Sequence, residues 1–151
     1  MLWISIICFI IIAVDGSLSK KGLPDCISAY YYELGKVFSI LMALMAFCLL
    51  YVMLDVTPED RQFLAFLACG GILFVGVAPN YKEDVESSVH KTAAVISGVC
   101  SVLWTAFVSP AHCFFLCMVA IALIDRKRWL LWFEVPCFLM VFASLLTFVY
   151  K

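Results

Sequence analysis

The sequence predicts an all-α protein, an integral membrane bundle of six helices forming one domain over residues 1–151. Two observations lead there. Of the 151 residues, 66% are apolar and only 14% are charged, where a soluble domain is nearer half apolar and a quarter charged. The charged residues also bunch between apolar runs that approach the thickness of a bilayer core. A net charge of −1 with no large basic patch argues against a nucleic-acid partner and leaves membrane lipids as the expected surroundings.

Taken in order, the spans fall at 2–16, 34–54, 63–79, 89–108, 110–124 and 129–150. The first run ends at Val14 before Asp15 and Gly16. It is short for a crossing, and no basic residue precedes it as a signal peptide would require. A first membrane helix, extended by a turn into Ser17–Ser19, is the better reading. Ser17 to Glu33 is then a polar loop, with Tyr30, Tyr31 and Tyr32 as interfacial anchors. Leu34 to Leu54 is continuous and apolar, with Lys36 at its start. Thr57 followed by Pro58 reads as an N-cap and first-turn proline for the third span. That span is rich in small residues, Gly71 among them, which permit close helix approach. Pro79 and Asn80 end it, and Tyr81 to Ser88 is a charged loop with Ser88 capping the fourth helix. Ser109-Pro110 opens a short fifth span. Asp125-Arg-Lys-Arg128 separates it from the last, which contains Glu134 and Pro136.

Of the eight cysteines, only Cys26 lies outside an apolar run. Cysteine within an apolar run behaves as a small hydrophobe, so no disulfides are expected. Cys113 and Cys117 are one α-helical turn apart, but no second pair of ligands accompanies them. Neither a metal nor a cofactor is expected.

Loops one, three and five carry Lys20, Lys21, Lys36, Lys82, Lys91 and the Arg126–Arg128 run, against Arg61 and Lys151 on the other side. The positive-inside rule therefore puts the odd loops in the cytoplasm and both termini outside. Whatever the orientation, helix direction gathers Asp25, Ser28, Tyr31, His90, Lys91 and Glu134 toward one membrane face. Glu134 lies between Phe133 and Val135 in a strongly apolar stretch, where a carboxylate needs a partner or a water-filled cavity. One reading is a pocket on the odd-loop face, with His90 and Glu134 as its ionisable pair and Ser28 or a tyrosine as hydroxyl donor. The other is structural, with Glu134 pairing Arg128 or Lys91 to pin the bundle. On the fourth helix, Ala93, Ser97, Ser101 and Thr105 share a stripe, read as helix-packing glue rather than a hydroxyl relay. His112 falls on the opposite face and reads as interfacial.

Several stretches resemble a bacterial family of small six-helix membrane proteins of unknown function, itself similar in pattern to the DRAM-like membrane proteins of eukaryotes. They are Asp25-Cys-Ile-Ser-Ala-Tyr-Tyr-Tyr32 ahead of Val37-Phe38, Val77-Ala-Pro79, His90 opening the fourth span, and Trp132-Phe-Glu134. The resemblance implies a six-helix bundle with Ser28, His90 and Glu134 near one another, and no established activity. The chain departs from the pattern in its short first helix and in Cys26, where a small hydroxyl residue is expected. In the eukaryotic relatives loop one faces the lumen or exterior, opposite to the charge count.

No phosphate-binding loop, zinc-protease helix or nucleophile elbow is present, and two histidines on opposite faces do not make a polyhistidine zinc site. The leading expectation is therefore a membrane-embedded protein that binds a lipid headgroup or small polar ligand in the odd-loop pocket. The alternatives are a lipid-modifying enzyme using His90 and Glu134, and a homo-oligomeric pore or transporter.

Overall fold

The computed structural model describes residues 1–20, 23–77 and 83–149, and among these every regular element is helical. The α-helices are α1 (Leu2–Lys20), α2 (Tyr31–Leu34), α3 (Lys36–Val56), α4 (Gln62–Val77), α5 (Glu83–Val108) and α6 (Leu131–Val149). Among the described residues, four stretches are long and apolar enough to cross a membrane: Lys36–Val56, Glu59–Val77, Val89–Val108 and Leu131–Val149. The other two apolar runs form the shorter segments Leu2–Leu18 and Pro110–Leu123.

α3 and α4 are apolar almost all round, so their packing is decided largely by shape. α3 buries Phe38, Met42, Met45, Leu49 and Met53, spaced three or four apart. Its other face presents Val37, Ile40, Phe47 and Tyr51 outward. α1 packs on α3, α3 on α4, α4 on α5 and α5 on α6, while α6 also touches α1 and α3 and closes the ring. The α4–α5 contact is close because Gly71 faces α5. A Cβ there would come within 2.6 Å of Ser97 Cβ and 2.7 Å of the Ala93 carbonyl.

Loop one departs from the sequence reading. Rather than lying as a polar connection, it folds inward as a 3-10 turn (Ile27–Tyr30) running into α2. Pro24, Ile27, Ser28 and Tyr30 are buried. Tyr30 is thus a core residue, its hydroxyl 2.6 Å from Ser17 Oγ, while Tyr32 is exposed. Gly35, at φ 56°, supplies the left-handed turn into α3.

Thr57 also has a different task from the N-cap expected of it. It ends α3, its hydroxyl donating to the Met53 carbonyl and accepting the Trp104 indole N–H at 2.7 Å. Ser88 falls inside α5, which starts at Glu83, rather than at the N-cap position. Pro79 and Asn80 lie outside the described residues, as does Lys82.

The fifth run is the least ordinary element. Pro110–Leu123 is a 3-10 helix of 14 residues, opened by Ser109 and by Pro110 in its first turn. At about 2.0 Å per residue it reaches roughly 28 Å, where an α-helix of that length would reach only about 21 Å. A run too short to span as an α-helix therefore nearly matches a hydrocarbon core of about 30 Å. Its exposure repeats every third residue: Ala111, Phe114, Cys117, Ala120 and Leu123 face outward and the two other rows are half-buried. The three-residue period also puts Cys113 and Cys117 on different rows.

Candidate functional site

Glu134 is placed by the first turn of α6. Its Oε2 accepts a hydrogen bond from the Ile27 backbone N–H at 2.6 Å. That N–H belongs to the first residue of the 3-10 turn, whose N-cap Cys26 makes no side-chain capping bond. An N–H at a helix start has no partner within its own helix and carries the positive end of the peptide dipoles, so a carboxylate suits it. Loop one thus brings its own backbone donor to Glu134, which takes this bond in place of one from His90, Arg128 or Lys91. Among the described residues no lysine or arginine forms an ion pair with it. Two residues further on, Pro136 lacks an N–H and leaves the Trp132 carbonyl without its helical donor.

Glu134 borders a cavity of about 50 Å³ between α3, α4, α5 and α6, enough for a few waters. Ser97, Ser101 and Cys137 supply its other side-chain polar atoms, set among Met42, Leu49 and Ile72. Ser97 Oγ is committed to the Ala68 carbonyl of α4 at 2.9 Å. The gluing role read from the sequence describes Ser97 well, together with buried Ala93 and the close approach at Gly71.

The remaining residues expected at the site spread along the mouth. Asp25 Oδ1 is 4.0 Å from Lys127 Nζ, both side chains largely exposed, and the Asp25 carbonyl accepts the Leu131 N–H at 3.3 Å. Ser28 Oγ lies 3.1 Å from Cys26 Sγ. The Tyr31 ring meets Tyr32 and Phe38 edge to face. Lys91 is exposed and His90 half-buried on α5, and neither is among the described residues lining the cavity. Gly98 lies against the Phe133 ring, 2.6 Å from where its Cβ would be, so Gly98 and Phe133 are level. His90 is eight residues nearer the start of α5, about 12 Å along the helix axis. Glu134 therefore faces the serines of α5 more nearly than its histidine.

At the same mouth, Asp125 accepts from Arg128 Nη1 at 2.9 Å and from Trp132 Nε1 at 3.3 Å. The hydrogen bond from Arg128, seconded by that from Trp132, holds the Asp125 carboxyl below the usual aspartate range.

A second polar group sits toward the other end of the bundle. His112 Nδ1 lies 2.7 Å from Ser109 Oγ and 3.4 Å from Ser144 Oγ. Ser144, fully buried, donates to the Met140 carbonyl at 2.7 Å. His112 is therefore tied to α6 rather than lying alone at an interface. The sequence does carry a signal for this group: Ser144 follows Glu134, Cys137 and Val141 at spacings of three and four on one face of α6.

Among the described residues, all eight cysteines are free and no cluster of histidine, cysteine or acidic side chains could hold a metal ion. Comparison with known protein families, with curated proteins and with solved structures finds no match for this chain.

Proposed function

We propose that this is a six-pass integral membrane protein that binds a protonated amine at Glu134. The six crossings, the bacterial inner membrane, the termini outside and the kinship with the DRAM-like pattern all belong to this proposal. One observation carries the site. A carboxylate in an apolar segment meets one neutral backbone donor, faces a cavity of about 50 Å³ and has no ion-pair partner among the described residues. A charge held away from water calls for an opposite charge or for water. The cavity has room for an ammonium group, and the serine hydroxyls beside it can accept N–H bonds. Such an amine has two sources, an ethanolamine phospholipid headgroup at the odd-loop mouth or a free small amine. A catalytic role is less favoured, because the cavity beside Glu134 is lined by Ser97 and Ser101 and not by His90.

The test is retention of amine lipid by protein released from mixed bilayers, read by native mass spectrometry. Wild-type protein is expected to retain phosphatidylethanolamine over phosphatidylcholine, whose methylated head has no N–H to donate. Glu134→Gln should weaken retention by about 2 kcal/mol or more, roughly thirtyfold. In a second arm, free ethanolamine competes off the lipid if the small amine is the ligand, and leaves it in place if the lipid is. Equal retention of both lipids by wild type and a folded Glu134→Gln variant would overturn the proposal.

A further inference from the structure

Away from Glu134, the connection between the fifth run and α6 carries four charged residues in succession, Asp125, Arg126, Lys127 and Arg128. The last three form a single 3-10 turn. Asp125 accepts from Arg128 Nη1 at 2.9 Å and from Trp132 Nε1 at 3.3 Å, so its charge is spent on Arg128. Arg126 is exposed and forms no ion pair among the described residues. Lys127 meets only Asp25, at 4.0 Å and with both side chains largely exposed, where an ion pair gains little. Two cations thus stand open on a turn that the bonds among Arg128, Asp125 and Trp132 hold in place. Their neighbours in the chain are apolar and just as open: Leu123 is 76% exposed, Ile124 89% and Trp129 59%. Aliphatic and aromatic side chains exposed beside cations suit the headgroup layer, where the first meet acyl chains and the second meet phosphate.

We propose that this turn binds an anionic phospholipid, with the phosphate on Arg126 and Lys127 and an acyl chain along the fifth run. A guanidinium presents paired N–H donors that match two phosphate oxygens, and the lysine adds a compact charge. The 3-10 geometry supplies the track for the chain. Side chains three apart eclipse in such a helix, so the outward row of Phe114, Cys117, Ala120 and Leu123 runs straight and ends three residues before Arg126. An α-helix would carry the same row roughly half a turn round its axis. The ligand is a lipid rather than free phosphate because Leu123, Ile124 and Trp129 are open to it, and free phosphate has nothing apolar to cover them. Asp25, the acid paired with Lys127, competes with the phosphate for that cation. The inference rests on the membrane-spanning reading, but not on Glu134 or on an amine ligand.

The experiment releases the full chain from bilayers of equal phosphatidylglycerol and phosphatidylcholine and reads retained lipid by native mass spectrometry. Neither head has an amine N–H, so an amine site does not bias the choice. Wild-type protein should retain phosphatidylglycerol preferentially. Arg126→Gln combined with Lys127→Gln should weaken that preference about thirtyfold. Asp25→Asn should strengthen it, by up to about fivefold, whereas simple damage to the turn would weaken it in both variants. Equal retention of the two lipids by wild type, an unchanged preference in the double variant, or a fall in Asp25→Asn would overturn the proposal. So would displacement of the lipid by free glycerol phosphate, which would make the ligand a soluble phosphate ester. Retention of phosphatidylethanolamine measured beside it keeps the readings apart. A preference for phosphatidylglycerol without one for phosphatidylethanolamine removes only the amine site, and the reverse removes only this one.

Discussion

Glu134 stands out in the sequence because a carboxylate between Phe133 and Val135 contradicts its surroundings. Its partner does not, because every candidate legible in the sequence was a side chain and the donor is the backbone of Ile27, 107 residues away. Thr57 shows the same limit. Followed by Pro58 it looks like a helix start, and only the fold reveals that it ends α3 and receives the Trp104 indole 47 residues on. Both residues are buried, so Thr57→Val leaves the Trp104 N–H without its acceptor. A buried donor left unpaired costs about 1–3 kcal/mol. The variant should unfold at a correspondingly lower temperature in detergent, whereas an unchanged midpoint would show that the indole has another acceptor. In a Trp104→Phe background, which carries its own packing loss, Thr57→Val should cost much less, since no indole N–H is then left unsatisfied.

At the scale of elements, apolar runs named the helices and their order, but not their interiors. The small residues of the third span signalled a close contact without saying which glycine makes it. The structure separates two neighbours. A Cβ on Gly71 would strike Ser97 and the Ala93 backbone, while one on Gly70 would meet nothing within 4 Å. Gly71→Ala should therefore destabilise by about 1–3 kcal/mol, and Gly70→Ala should be neutral or stabilising by up to about 1 kcal/mol. Thermal or denaturant unfolding of the two variants checks this, and equal effects would contradict the α4–α5 packing. The run after Ser109 was legible as a short apolar span. Its resolution was not, because local apolar pattern does not distinguish a rise of about 2.0 Å from one of about 1.5 Å. Loop one was misjudged for a related reason. Lys20, Asp25 and Glu33 make it look solvated, yet Pro24, Ile27 and Tyr30 between them are buried.

For the whole molecule, contacts between loops lie at two ends of the bundle. Asp25 meets Lys127 and Leu131 on one side, while on the other Thr57 meets Trp104 and Arg61 lies over Phe107 at 4.6 Å. What alternation of helix direction does not give is depth, and depth sets Glu134 beside a cavity that Ser97 and Ser101 of α5 also line. The candidate site therefore depends on one contact, between the chain's inward-folded first loop and the carboxyl of its last helix. Solid-state NMR of labelled protein in bilayers reads it directly, as dipolar coupling between the Ile27 amide nitrogen and the Glu134 carboxyl carbon. A strong coupling, as the 2.6 Å hydrogen bond requires, is the predicted result. No coupling, with the carboxyl carbon instead correlated to acyl-chain protons, would contradict the site and the amine binding built on it.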